Sequence, residues 1–476
     1  MPHSGCLNDY AASVESILLA QDHAALPPHS AIQRAELSLP KTLPESGLGF
    51  ERIKQHLEED IVPALNGSSL SANYYGFVTG GATMASLFAD WLVSAVDQNP
   101  QVHSPTETIA SDVDHVALRL LQQLLGLDEN LFNGRIFTTG ATGSNILALA
   151  LGREYVVASA GRRLSPPTNT SIAQLGVLKA CKLAGVNRIQ ILSAMPHSSL
   201  IKAASVVGLG HAAVITLPLS VEEPWKFDLA AVERHLKAAN VASIISVSAG
   251  EVNTGRFTTS GDEMVKLRAL ADEHGAWLHV DAAFGLPALV LPQRPEYKHI
   301  IEGVKFIELA DSITGDLHKN TVQVPYDCGV FFPRHLALQQ TVFQNAPLVV
   351  PDHGEIPSAH NLGVENSRRM RGLPVYASLL AYGRIWHQEI LQSAAYELLP
   401  GPEIDKVYMI VLFCARDDTL NSQLTAKLNE SGIIYVSPTS WNGRAAARIA
   451  VSNSRVEVKR DVERVIRELE RVSAKS

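Results

Sequence analysis

Short apolar, β-branched runs alternate with amphipathic helical runs from about residue 85 to residue 334. The runs at 135–138, 188–192, 213–217, 243–248, 276–280 and 329–332 predict strands. Those at 146–158, 172–184, 229–239 and 261–274 predict helices. This alternation predicts an α/β layer built on a mostly parallel sheet. The strands are apolar on both faces, as required where helices cover both sides. The preceding stretch, to residue 71, reads as mostly helical. It has an apolar periodicity through Ile17-Leu18-Leu19, a link punctuated by Pro27, Pro28, Pro40 and Pro44, and a second helix at 50–65. It is too thin to make its own core and is expected to pack against another body, such as a second subunit. Residues 344–363 hold three prolines, two glycines and two histidines without a period, which predicts a long functional loop. A helix at 373–395, strands at 406–414, 433–437 and 447–452, and a last helix at 455–472 predict a smaller α+β domain. The expected division is 1–75, 76–385 and 386–476.

Composition narrows the function classes. The 476 residues are 46% apolar and 18% charged, too apolar for a disordered chain. A net charge of −8 without a dominant basic patch argues against nucleic acid and against an anionic membrane as partners. Cys6, Cys181, Cys328 and Cys414 are far apart and form no CxxC pair, which fits a reducing compartment rather than a disulfide framework. The N-terminus has no basic segment followed by an apolar run, and no apolar stretch of about 18 residues occurs. The expectation is a soluble, cytoplasmic protein. The five-residue spacing of His274 and His279 fits neither helix nor strand geometry for a metal pair, and no metal is expected.

Three clusters carry candidate chemistry. Thr139-Gly140-Ala141-Thr142-Gly143-Ser144-Asn145 joins a predicted strand to a helix. Small residues there let backbone N–H groups and a helix N-terminus approach a phosphate. Alone, it reads as well as a tight turn with a hydroxyl cap. It lacks the Gly-Lys-Ser/Thr ending of a Walker A loop. In His279-Val280-Asp281-Ala282-Ala283-Phe284-Gly285 an aspartate ends an apolar strand. Its carboxylate needs donors or a cation, and a protonated pyridine nitrogen is one candidate; a loop-capping aspartate is the other. The third cluster runs Asp311-Ser312-Ile313-Thr314-Gly315-Asp316-Leu317-His318-Lys319, then Val324-Pro325-Tyr326-Asp327-Cys328-Gly329. It reads as a polar, small-residue loop between two apolar strands. A partly desolvated lysine there has a lowered pKa and can form a Schiff base.

The order TGATGSN, PHSSLIKAA, HVDAAFG, DLHKNTVQVPYDCG resembles the group II pyridoxal-phosphate-dependent amino acid decarboxylases, which include aromatic amino acid, glutamate and diaminobutyrate decarboxylases. The likeness runs from about residue 73 to 384 and more weakly beyond. VNTG, VPYDCG and SRRMRG are similar to a fungal and bacterial branch. The resemblance implies an aspartate-aminotransferase-like, type I fold, with a large α/β domain carrying a seven-stranded sheet, a small C-terminal domain, N-terminal helices embracing a partner, and a homodimer. It implies pyridoxal phosphate as cofactor and an amino acid as substrate. Lys319 matches the Schiff-base lysine, and Asp281 the aspartate on the pyridinium nitrogen. His197 matches the histidine stacked on the ring. Ala141, Thr142 and Gly143 match the phosphate loop. Ala283 matches the small residue beside the ring, and His318 the neighbour of the lysine near the phosphate.

The chain departs from the family pattern in three places. Glu251, in Ala249-Gly250-Glu251-Val252-Asn253-Thr254-Gly255, stands where the family has a threonine. A carboxylate there can hold a substrate amine, donate a proton, or be a paired structural acid. No tyrosine lies between Tyr326 and Tyr376, where aromatic decarboxylases carry a proton-donating loop tyrosine; His353 and His360 are candidates for that role. Phe77-Val78-Thr79 replaces an aromatic-rich substrate segment, so an aromatic substrate does not follow. The resemblance implies α-decarboxylation of an L-amino acid to an amine and CO₂. The missing tyrosine leaves an O₂-dependent route to an aldehyde open, and the same cofactor also serves C–C lyases. The intact Lys319, Asp281 and His197 set argues against an inactive relative.

Overall fold

The computed structural model describes residues 4–20, 23–345, 356–395, 408–441 and 443–474. The chain divides into two compact units, one of residues 82–410 and one of 1–81 with 411–476.

The larger unit is built on seven strands: β1 (Ile136–Thr138), β2 (Arg188–Ser193), β3 (Val214–Thr216), β4 (Val241–Ser248), β5 (Trp277–Asp281), β6 (Ser312–Asp316) and β7 (Gly329–Pro333). Their order in the sheet is β1-β7-β6-β5-β4-β2-β3. Neighbours from β6 through β3 run parallel, and β7 is antiparallel to both β6 and β1. The type I α/β fold expected from the sequence is thus present. The parallel strands require helical crossovers, and helix Ala141–Arg162 lays Leu147, Leu151 and Val157 into a core with Ile191, Ile244 and Trp277.

One predicted loop is a strand. Ser312–Asp316 is buried throughout and pairs with β5 on one side and β7 on the other. In its sequence Ile313 and Thr314 favour a strand, but Gly315 and Asp316 do not, and only Ile313 is apolar and large. Small side chains suit it because space is short: a Cβ at Gly315 would lie 2.4 Å from Leu286 Cδ2. Thr314 Oγ1 donates to the Val330 carbonyl at 3.2 Å, satisfying its buried hydroxyl. The predicted helix at 172–184 is two, Ile172–Leu175 and Val177–Ala184, broken at Gly176 with φ +77°.

The smaller unit contains β8 (Ile410–Phe413), β9 (Ser437–Trp441) and β10 (Arg444–Ala450), ordered β8-β10-β9. The run predicted as a strand at 433–437 lies mostly before β9. Helices Asp418–Asn429 and Val458–Ala474 pack on this sheet through Leu424, Leu428 and Val472. The N-terminal segment shares this core. Tyr75 is buried in it, its N–H donates to the Tyr435 carbonyl at 2.9 Å, and Tyr74 stacks on Tyr435. The expected separate N-terminal segment is therefore joined to C-terminal residues by backbone hydrogen bonds and apolar packing. No helix among the described residues is long and apolar enough to cross a membrane.

Candidate active site

The C-terminal ends of β4, β5 and β6 face the N-terminus of helix Ala141–Arg162. In open α/β sheets, ligands bind outside the carboxyl ends of the strands. Here they border a cleft of about 330 Å³ lined by Ala141, Thr142, Gly143, His197, Glu251, Asp281, Ala283, His318 and Lys319, all singled out from the sequence. Asp316, Tyr326 and Ser199 also line it.

The helix enters the cleft from Gly140, whose φ of +148° and ψ of 173° place it where side-chain residues are rarely found. Thr142 and Gly143 are in the first turn, so their N–H groups have no acceptor within the helix. Together with the helix dipole they make an anion site.

Lys319 lies in the turn after β6, and its Nζ donates to Asp316 Oδ2 at 2.6 Å. The other oxygen of Asp316 accepts the Ala141 N–H at 2.6 Å. Burial pushes the Asp316 carboxyl up, but the charges of Lys319 and His318 and the bonds from Lys319 and Ala141 outweigh it and hold it below the usual range. His318 donates Nδ1–H to the Cys328 carbonyl at 2.9 Å and packs on the Tyr326 ring, with centroids 4.3 Å apart. Burial lowers its pKa.

Asp281, at the end of β5, accepts the Ala283 N–H on Oδ1 at 3.1 Å and the Asn145 side-chain amide on Oδ2 at 2.8 Å. His197 caps the helix Ser198–Val206, its Nδ1 accepting the Ser199 N–H at 3.2 Å.

Other sequence expectations are placed differently. Glu251 lines the cleft, but its carboxylate accepts from the N–H groups of Asn253 and Thr254, from Asn253 Nδ2 at 2.8 Å and from Thr254 Oγ1 at 2.9 Å. It is the structural acid of its own turn, because those donors occupy the lone pairs a substrate amine would need. His360 is buried away from the cleft lining, with its N–H and Nδ1 both on the Gln101 carbonyl at 3.1 and 3.0 Å. The cleft lining formed by this chain does not include it. His353 lies outside the described residues. Phe77, Val78 and Thr79 belong to the smaller unit, where Phe77 stacks on Tyr435, Val78 is buried and Thr79 Oγ1 donates to the Gly76 carbonyl.

Asn145, Asp316, Tyr326 and Ser199 belong to the site without being expected there from the sequence. Asn145 carried a signal, a polar side chain just before the apolar run Ile146–Leu151 of its helix. Asp316 was masked by the reading of β6 as loop.

The pyridoxal-dependent decarboxylase conserved domain matches residues 28–397, most of the chain. The chain belongs to the pyridoxal-dependent decarboxylase family. It is 24% identical to tryptophan decarboxylase 1 of Oryza sativa subsp. japonica over 94% of this chain and 88% of the relative. It is 27% identical to L-2,4-diaminobutyrate decarboxylase of Acinetobacter baumannii over 63% of this chain and 56% of the relative. The crystal structure of Oryza sativa TDC with PLP and tryptamine superposes with a TM-score of 0.78 at 21% identity, covering 99% of this chain and 96% of that one, which shows the same fold.

The cofactor of this family is pyridoxal phosphate, and the residues present suit it. The first-turn N–H groups of Thr142 and Gly143 are free of helix acceptors and fit a phosphate. Lys319 supplies an amine, and Asp281 supplies a carboxylate for a protonated ring nitrogen. A neutral ligand would leave this pairing of an anion site with a buried carboxylate unused.

Proposed function

We propose that this decarboxylase removes the α-carboxylate of an L-amino acid as CO₂ and releases the amine. The observation that carries the reading is the convergence of Lys319, Asp281 and an open helix N-terminus on one cleft. When bound, pyridoxal phosphate supplies the sink for the electron pair left by CO₂. Lys319 holds the cofactor through its amine and takes part in proton movement at Nζ. Asp281 keeps a proton at the ring nitrogen, which the sink requires. His197 covers the ring face, and the first turn of helix Ala141–Arg162 anchors the phosphate. Positioning does much of the rate enhancement, because the breaking bond must align with the cofactor ring.

The active form is a homodimer in the cytoplasm. Support for the dimer comes from an exposed apolar face on the larger unit, where Met84, Phe88, Trp91 and Val96 of helix Met84–Val96 project outward. Sedimentation of the purified protein checks it: a mass of two chains is expected, and a single chain overturns it.

The function is tested on purified protein beside Lys319→Ala, over a panel of L-amino acids. Amine and CO₂ in equal amounts are expected, with an absorbance band at about 420 nm that the variant lacks. Aldehyde with peroxide and ammonia, or two carbon fragments, would overturn simple decarboxylation.

A further inference from the structure

We propose that Asn145 is a positioning residue whose side-chain amide sets where the protons sit on Asp281, His279 and His197. The proposal rests on the cofactor assignment above, in which Asp281 holds the ring nitrogen and His197 covers the ring.

Asn145 is fully buried and makes three side-chain hydrogen bonds. Nδ2 donates to Asp281 Oδ2 at 2.8 Å and to Ser199 Oγ at 3.2 Å. Oδ1 lies 3.0 Å from His279 Nε2. The directions follow from the groups involved. A carboxylate that serves a ring nitrogen accepts, so the amide nitrogen faces Asp281 and the amide oxygen faces His279. That oxygen only accepts, so His279 carries its hydrogen on Nε2.

Full burial lowers the His279 pKa to about 4 against the opposing pull of Asp281 and of a hydrogen bond to the Ser312 backbone, which favours the neutral ring with its one hydrogen on Nε2. Its Nδ1 is therefore bare and accepts the Ser312 hydroxyl at 2.9 Å. Ser312 Oγ accepts in turn from the Trp277 indole N–H at 3.2 Å, a group that can only donate. The chain Trp277, Ser312, His279, Asn145, Asp281 thus has one consistent polarity from a pure donor to an acceptor. The reverse polarity would put the proton on Asp281 and remove the anion that the ring nitrogen needs.

The second branch fixes His197. Ser199 Oγ accepts from Asn145, which turns its own hydrogen toward His197 Nδ1 at 2.8 Å. The Ser199 backbone N–H points at the same Nδ1 and can only donate. Nδ1 is bare, and the ring hydrogen sits on Nε2. Asparagine suits this position because it donates twice and accepts once. Aspartate has the same shape but donates nothing, and would meet Asp281 as a second carboxylate.

Neutron diffraction of deuterium-exchanged, cofactor-loaded wild-type crystals tests the assignment without any substitution. Deuterium on Nε2 of both His279 and His197, and none on either Nδ1 or on Asp281 Oδ2, is expected. Deuterium on His279 Nδ1 or on Asp281 Oδ2 overturns the proposal. Asn145→Asp is the second test, read by titration with pyridoxal phosphate. Loss of a hydrogen bond to a charged group predicts at least about a tenfold weaker affinity and a displaced long-wavelength absorption band. A purely packing role predicts neither, because the side chains are isosteric. A folded variant with wild-type affinity and band overturns the proposal, and if the variant does not fold the neutron result decides. Wild-type protein that binds the cofactor but yields no amine would refute the decarboxylase function and leave the proton assignment standing.

Discussion

The Asp316 carboxylate joins two parts of the site, holding Lys319 Nζ on one oxygen and the Ala141 N–H on the other, each at 2.6 Å. One side chain thereby sets the amine against the N-terminus of helix Ala141–Arg162. Because the folded-state pKa of Asp316 is depressed, it contributes stability above the unfolded value of about 3.9. That stability is lost as pH falls through the lower folded value. Asp316→Asn keeps an acceptor for Ala141 and removes the charge. It is expected to cost about 1–3 kcal/mol at pH 7 in cofactor-stripped protein. The gap to wild type should narrow below about pH 4. Thermal denaturation of both proteins across pH 3–7 checks it; a gap that widens in acid contradicts the pairing.

Glu251 gathers its donors from Asn253 and Thr254, within its own turn. Glu251→Gln replaces one accepting oxygen with an NH₂ group that faces those donors. A loss of about 1–3 kcal/mol in stability is expected, with substrate preference unchanged. Melting curves and the ranking of kcat/KM over several L-amino acids check this. A changed ranking would restore Glu251 as a substrate ligand.

His360 bonds the Gln101 carbonyl from within the core, and His360→Gln tests whether burial is its whole role. Lower thermal stability is expected, with the ratio of amine to aldehyde product as in wild type. A product ratio that shifts toward aldehyde would place His360 in the proton path after all.

These cases show what a sequence reveals. Six of the seven strands of the large sheet announce themselves as apolar runs, for most of them because burial on both faces demands it, while the edge strand β3 is only partly buried. The seventh, Ser312–Asp316, does not, because it is filled by small side chains whose polar atoms find partners only after folding. Asp281 was legible from its place at the end of an apolar strand, and Lys319 as a lysine in a polar, small-residue stretch between two apolar strands. Glu251 was legible in part, since its partners follow within three residues. His360 was not, because Gln101 lies 259 residues away and only the fold brings them together. The Asn145 network shares that opacity: its members come from the helix after β1, from β5 and β6, and from the helix start at Ser198.

Arg371 carries the last expectation. Its buried guanidinium donates Nε–H to Asp327 Oδ1 at 3.0 Å and both terminal nitrogens to Glu365 at 2.9 and 3.0 Å. Burial alone would weaken its charge, but Asp327 and Glu365 more than offset that and raise its pKa. Asp327 adjoins Tyr326, whose ring lies in the cleft against His318. Arg371 therefore fixes the turn that presents Tyr326, while the phosphate site and Asp281 are held by other bonds. Arg371→Lys keeps the charge and loses the planar fork. A displaced Tyr326 should raise the amino acid KM about fivefold or more, while affinity for pyridoxal phosphate stays within about twofold of wild type. Steady-state kinetics and cofactor titration separate the two effects. Equal losses in both would mean that Arg371 supports the whole site rather than the Tyr326 wall.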